Sequence, residues 1–261
     1  VETEDVERGT ASFDRYFPSR DLANGFARQL EGLVLSLPAN RRGRLSVVAV
    51  KNRDWTEYWK RFFHTKRVSR RVVIKPSWER YTPRKQDCVI KLDPGMSFGT
   101  GLHPTTRACI RFLDRLAATM PKASFVDVGC GSGVLVIAAA KLGLRRATGL
   151  DHDPLAVRIA RKNLLRNGLR GAARCLVRDA ADPRLAGRFD IVCANMFLSE
   201  LERNSGGIAG LVSRRAGARL ILAGTMGRQY AAIEPAFAAR GFKTESIRRD
   251  GEWTSGCLRR K

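Results

Sequence analysis

The chain has 261 residues, enough for one large domain with a small appendage, and its 44% hydrophobic and 28% charged residues are those of a soluble globular protein. No apolar run approaches the roughly 20 residues of a membrane-spanning helix, and the opening "VETEDVERGT" lacks the basic start and apolar centre of a signal peptide, so a cytoplasmic protein is expected. Forty-eight Lys and Arg against 25 Asp and Glu give a formal net charge of +23, which suits phosphate-rich partners but is also what a GC-rich genome produces through Arg codons.

In chain order, "RDLANGFARQLEGLVL" (20–35) places Leu22, Phe26, Leu30 and Leu33 on one helical face, and "LSVVAVK" (45–51) has the composition of a strand. Residues 1–53 are therefore expected to form a small α+β segment. Residues 54–91 are expected to be a linker, with Trp55, Trp59 and Phe63 on a helix, the basic "KRVSRR" on its exposed side, and a strand in "RVVIKP". From 92 to 261 strands and helices alternate. Helical periodicity in "TTRACIRFLDRLAATM" precedes the strand "SFVDVG", the helix "VLVIAAAKLG", the strand "RATGLD", the helix "PLAVRIARKNLLRNGL" and the strands "ARCLVRD" and "FDIVCANM". The strand "ARLILAG", the helix "RQYAAIEPAFAARG" and two strands around a turn at Asp250 and Gly251 complete the chain. This alternation predicts an α/β fold, a Rossmann-like, doubly wound, mostly parallel sheet whose edge is closed by an antiparallel C-terminal hairpin. Six cysteines form no CxxC pair and have no metal-ligand spacing with the three histidines, so no metal is expected and the thiols are assigned to the core.

The chemistry is announced by "FVDVGCGSG" (125–133). Ligands of open parallel sheets bind beyond the carboxyl ends of the strands, and this segment is a strand running into such a turn. Gly129 and Gly131 let the backbone approach a ligand, Gly133 lets the next helix lie close to the sheet, and the helix N-terminus offers N–H groups to an anion. Asp151, ending the second strand, stands where a carboxylate takes the hydroxyls of a ribose. The G-x-G-x-G spacing and the carboxylate of Asp127 disfavour a dinucleotide pyrophosphate. S-adenosyl-L-methionine, with an amino group for Asp127 and a carboxylate for the N–H groups, fits better.

The segments "LDPGMSFGTGLHPTT" (92–106), "DVGCGSGVLVIAAAKLG", "GLDHDPLAV" and "DIVCANMFLSEL", in this order and spacing, resemble the PrmA family, the methyltransferases of large-subunit ribosomal protein eleven. The resemblance covers roughly 54–261. It implies a methyltransferase domain at 92–261 preceded by a truncated substrate-recognition segment at 1–53. Phe98, Gly99 and Thr106 would line the cofactor pocket, Gly129 and Gly131 would take the methionine end, Asp151 the ribose, and Asn195 the reacting side. It also implies a protein N-methyltransferase acting on lysine or N-terminal amines of that ribosomal protein, free or on the large subunit. A ribosomal RNA contact through the basic surface and a monomeric state are further expectations. The stretch after Asn195 departs from the family's small residues and proline, reading "MFLSEL".

An amine attacks a sulfonium methyl only when neutral, and a free lysine has a pKa near 10.4, so the site must depress that value. Asn195 offers a carbonyl oxygen that accepts from the amine. His103 is a second catalytic candidate, able to accept a proton or orient Thr106, and Asp179, ending the third strand, is placed to reach the adenine amino group. Three alternatives stay open: a lysine methyltransferase of another protein, an RNA or DNA base-amine methyltransferase, and a silent nucleic-acid-binding protein on the same fold.

Overall fold

The computed structural model describes residues 2–5, 10–13, 17, 19–36, 45–48, 63–93, 101–182 and 189–261. They fall into two compact units, divided between Phe62 and Phe63. In the first unit, β1 (Glu2–Asp5) and β2 (Thr10–Phe13) pair antiparallel, and α1 spans Arg20–Ser36. The predicted helix is present, started by Ser19, whose hydroxyl accepts the Leu22 N–H at 3.4 Å. Its apolar face is covered only in part among the described residues: Phe26 meets the Phe17 ring at 5.2 Å, no α1 residue is buried, and Leu22 and Leu33 are exposed. Of the expected strand at 45–51, residues 45–48 carry no regular structure and the rest lie outside the described residues, as do Trp55 and Trp59.

The second unit begins earlier than the expected domain, and residues 63–91 belong to it. Here β3 (Lys66–Arg67), β4 (Val72–Lys75) and β5 (Cys88–Lys91) make a small sheet, with β4 parallel to β5. Val72, Ile74 and Ile90 are fully buried in the same apolar cluster as the helices that follow, which is why this segment is part of the unit.

The main sheet has seven strands: β6 (Ser124–Val128), β7 (Arg145–Asp151), β8 (Ala173–Val177), β9 (Ile191–Asn195), β10 (Arg219–Met226), β11 (Phe242–Asp250) and β12 (Trp253–Arg260), in the order β11-β12-β10-β9-β6-β7-β8. Five adjacent strands, from β10 to the edge strand β8, are parallel, and β12 and β11 continue the sheet antiparallel on the other side. Side chains alternate between faces with period two. Phe125, Ile191 and Cys193 face a cluster with α2 (Pro104–Thr119), α3 (Val134–Lys141) and α4 (Pro154–Arg166). Val126, Val192 and Ala194 face the opposite cluster with α5 (Leu198–Leu211) and α6 (Gly227–Ala238). The apolar pattern did not announce α5, because Gly206, Gly207 and Gly210 interrupt it. A Cβ at Gly207 would come within 3.0 Å of the Ala181 backbone nitrogen, so close packing explains one of these glycines.

The strand order reverses at β6: β7 and β8 lie on one side of it and β9 on the other. That switch point opens a crevice at the carboxyl ends of β6 and β9.

Candidate active site

A cavity of about 580 Å³ occupies this crevice, within the range of small-molecule sites. Its floor is the turn after β6. The Gly129 and Cys130 N–H groups both donate to the Leu150 carbonyl, at 2.8 and 3.0 Å, which folds the turn onto β7. Gly133 starts α3 at φ 77°, and a Cβ there would lie 3.0 Å from the Ala160 Cβ, so only glycine lets α3 and α4 meet. Gly129, at φ 69°, leaves the space that the Met196 side chain approaches.

Asp127, Asp151 and Asn195 are among the polar residues that line the cavity. Asp127 is buried, and its Oδ1 has no hydrogen-bond partner. Burial, followed by the neighbouring Cys175 thiol and the Asp151 carboxylate, pushes its pKa well above the usual carboxyl value. Asp151 is held rigidly: Oδ2 accepts the Gly131 N–H at 2.9 Å and Oδ1 the Asp153 N–H at 3.0 Å, leaving one acceptor position on each oxygen. Asn195, at the end of β9, donates from Nδ2 to the Thr106 hydroxyl at 3.4 Å, while its Oδ1 is buried without a partner. Buried polar atoms are almost always paired, so two orphaned acceptors lining one cavity indicate a ligand that supplies the donors.

The N-terminus of α2 forms a wall with the buried Thr105 and Thr106. His103 caps that helix. Its Nδ1 lies 2.8 Å from the Thr105 hydroxyl and accepts the Thr105 N–H at 3.4 Å, so it orients Thr105 rather than Thr106. Its ring meets the Trp253 ring edge to face at 4.8 Å, and burial followed by Arg107 depresses its pKa, which favours the neutral imidazole. Asp179 is not brought to the site. Strand β8 ends at Val177, and Asp179 follows on an exposed turn where its Oδ1 accepts the Ala181 N–H at 2.7 Å. Phe98 and Gly99 lie outside the described residues.

Trp253, Met196, Phe197 and Glu200 also line the cavity and were not singled out from sequence. Met196, Phe197 and Glu200 follow Asn195 within about one helical turn, so the strand end that carries Asn195 also brings them to the cavity. Trp253 arrives from the C-terminal hairpin, and only the β10–β12 pairing, with Met226 opposite Trp253, places it here. No group of residues suited to a metal ion occurs among the described residues, and none of their helices is long and apolar enough to cross a membrane.

The sheet order, the glycine turn at the switch point and the acidic strand ends define a Rossmann-like methyltransferase. The chain belongs to the ribosomal protein L11 methyltransferase (PrmA) family, whose model matches residues 1–261. A ribosomal protein L11 methyltransferase of Geobacter sulfurreducens is 38% identical over 259 residues, covering 97% of this chain and 82% of that protein. One of Syntrophotalea carbinolica is 39% identical over 250 residues, covering 93% and 79%. The crystal structure of the ribosomal protein L11 methylase from Lactobacillus delbrueckii subsp. bulgaricus superposes with a TM-score of 0.66 at 29% identity, over 77% of this chain and 99% of that one. The enzyme is thus a methyltransferase.

Proposed function

We propose that this chain transfers methyl groups from S-adenosyl-L-methionine to lysine side-chain or N-terminal amines of ribosomal protein L11. One observation carries the reading: the orphaned carboxylate of Asp127 and the orphaned amide oxygen of Asn195 share one cavity with the tethered carboxylate of Asp151. Asp127 suits an ammonium, Asp151 a ribose diol, and the N–H groups of the glycine turn a carboxylate, which together are the polar groups of S-adenosylmethionine. When bound, the cofactor supplies a methyl group on a positive sulfur.

The chain's residues then act on the amine. Asn195 Oδ1 accepts a hydrogen from the incoming nitrogen, which fixes the direction of its lone pair, and Thr106 holds the amide in register. Trp253, braced by His103, walls the mouth against water. Desolvation lowers the amine's pKa, so the neutral nucleophile forms without a strong protein base. His103 serves as a positioning residue, since its Nδ1 is engaged with Thr105. The enzyme is read as a cytoplasmic monomer that meets its substrate free or on the large subunit, where its basic surface contacts ribosomal RNA.

The test is incubation with methyl-labelled cofactor, purified ribosomal protein L11 and deproteinised ribosomal RNA, followed by mass spectrometry. Label on lysine or N-terminal nitrogens of the protein supports the reading. Label confined to RNA replaces it with base methylation, and label on neither removes the substrate assignment.

A further inference from the structure

A second cleft, of about 980 Å³, lies between α2, the turn joining β3 to β4, and β11. Six arginines line it, Arg67, Arg70, Arg71, Arg111, Arg115 and Arg248, against the single carboxylate of Asp114. Two are neutralised locally: Arg67 pairs with Asp87 at 2.8 Å and Arg71 with Asp114 at 2.6 Å. The other four have no carboxylate of the described residues within ion-pair distance. Arg111 Nε donates to the Val68 carbonyl at 2.9 Å and Arg115 to the Ser246 hydroxyl at 2.6 Å, bonds that fix their positions without cancelling their charge. Arg115 and Arg248 both sit over the Phe112 ring, at 5.4 and 5.9 Å from its centroid.

Exposed guanidiniums are free to swing apart, so holding Arg111, Arg115 and Arg248 together concentrates positive potential at a cost. Burial, and then repulsion from Arg111 and Arg115, lowers the Arg248 pKa. A bound polyanion offsets that cost.

The cleft and the active site are both lined by residues of α2. Arg107, Arg111 and Arg115 stand at four-residue spacing on one face of α2, and His103, which caps the helix, lies one step before them at the cavity wall. Arg107 is held by Asp250 at 2.6 Å. From His103 to Arg115 this stripe covers about 18 Å at 1.5 Å per residue.

We propose that the cleft binds the phosphate backbone of RNA and leads it toward the mouth of the active site. Peptide-binding surfaces rely on apolar anchors, whereas Val68, Cys88 and Ala118 are the only apolar side chains lining this cleft. Nucleic-acid interfaces are polar and strongly basic, which matches both the cleft and the chain's charge of +23. The choice of RNA over DNA rests on the proposed ribosomal substrate; the phosphate chemistry does not.

The test is fluorescence anisotropy with labelled oligouridine and the full chain over a salt series. The triple variant R111Q/R115Q/R248Q removes three contacts, and the slope of log affinity against log salt is expected to shrink by about 2. An unchanged slope overturns the proposal. So does polyglutamate that displaces the RNA at equal charge concentration, which assigns the cleft to an acidic protein. If the triple variant does not melt cooperatively, the exposed Arg70→Gln serves alone, with an expected slope change of about 0.7 and no change overturning the proposal. Methylation of free ribosomal protein L11, measured separately, reports on the proposed function and not on the cleft.

Discussion

Two buried aspartates, 13 positions apart in the chain, have opposite surroundings. Asp114, on the outer face of α2, is saturated: Arg71 gives it a side-chain bond at 2.6 Å and a backbone N–H at 3.1 Å, and donates at 2.8 Å to its carbonyl oxygen. Burial alone would raise its pKa, but Ser69 and Arg71 outweigh burial and lower it. Asp127, at the end of β6, has no charged partner and an unpaired oxygen, and its pKa is raised. One carboxylate holds the small sheet against α2. The other is left unsatisfied by the fold, which is what the proposed cofactor site rests on. Burial alone therefore does not separate structural from functional carboxylates; partner supply does.

The sharpest break of this comparison is Asp114→Ala. It strands a partly buried guanidinium and is expected to cost about 3 kcal/mol in urea denaturation while leaving cofactor affinity unchanged. A variant of parental stability would place Asp114 outside the structural framework. Asp127→Asn is expected to do the reverse, weakening S-adenosylmethionine binding by about 2 kcal/mol, the scale of a hydrogen bond to a charged group. Asp151→Ala removes the acceptors proposed for the ribose and is expected to weaken binding by a similar amount, about 2 kcal/mol, checked by calorimetry. Gly133→Ala forces a left-handed backbone at φ 77° and crowds Ala160, an expected loss of about 1–2 kcal/mol in thermal unfolding.

The pH responses of the two aspartates also oppose each other. Stability from Asp114 is present above the ordinary carboxyl pKa near 4 and is lost as pH falls through its lowered value. Stability associated with Asp127 in the empty enzyme is present below about pH 4 and is lost as pH rises through its raised value. The ligand-free Asp127→Asn enzyme is therefore expected to melt above the parent at alkaline pH, with the gap closing toward pH 4. A gap that stays constant with pH would remove Asp127 as its source.

The residues legible in sequence are those whose position follows from a strand end. Asp127, the glycine turn, Asp151 and Asn195 each sit where an apolar run stops at the carboxyl edge of the sheet. Asp179 was misplaced by the same argument, because β8 stops two residues before it. What local pattern could not carry was pairing at a distance. Arg71 and Asp114 lie 43 positions apart, and Trp253 enters the cavity through a hairpin whose register the sequence does not state. The glycines that let α5 pack also erased its helical signature, and "LSVV" has strand composition without a described partner to pair with.

The most direct measurement is calorimetric titration of S-adenosylmethionine into the parent and Asp127→Asn enzymes, in buffers of differing ionisation enthalpy near pH 6. Because burial holds the empty Asp127 toward its protonated form and the proposed pairing with the cofactor's ammonium demands the ionised one, the parent is expected to release protons on binding. The variant is expected to release fewer and to bind about 30-fold more weakly. Equal affinity and equal proton release in the two proteins would contradict the account.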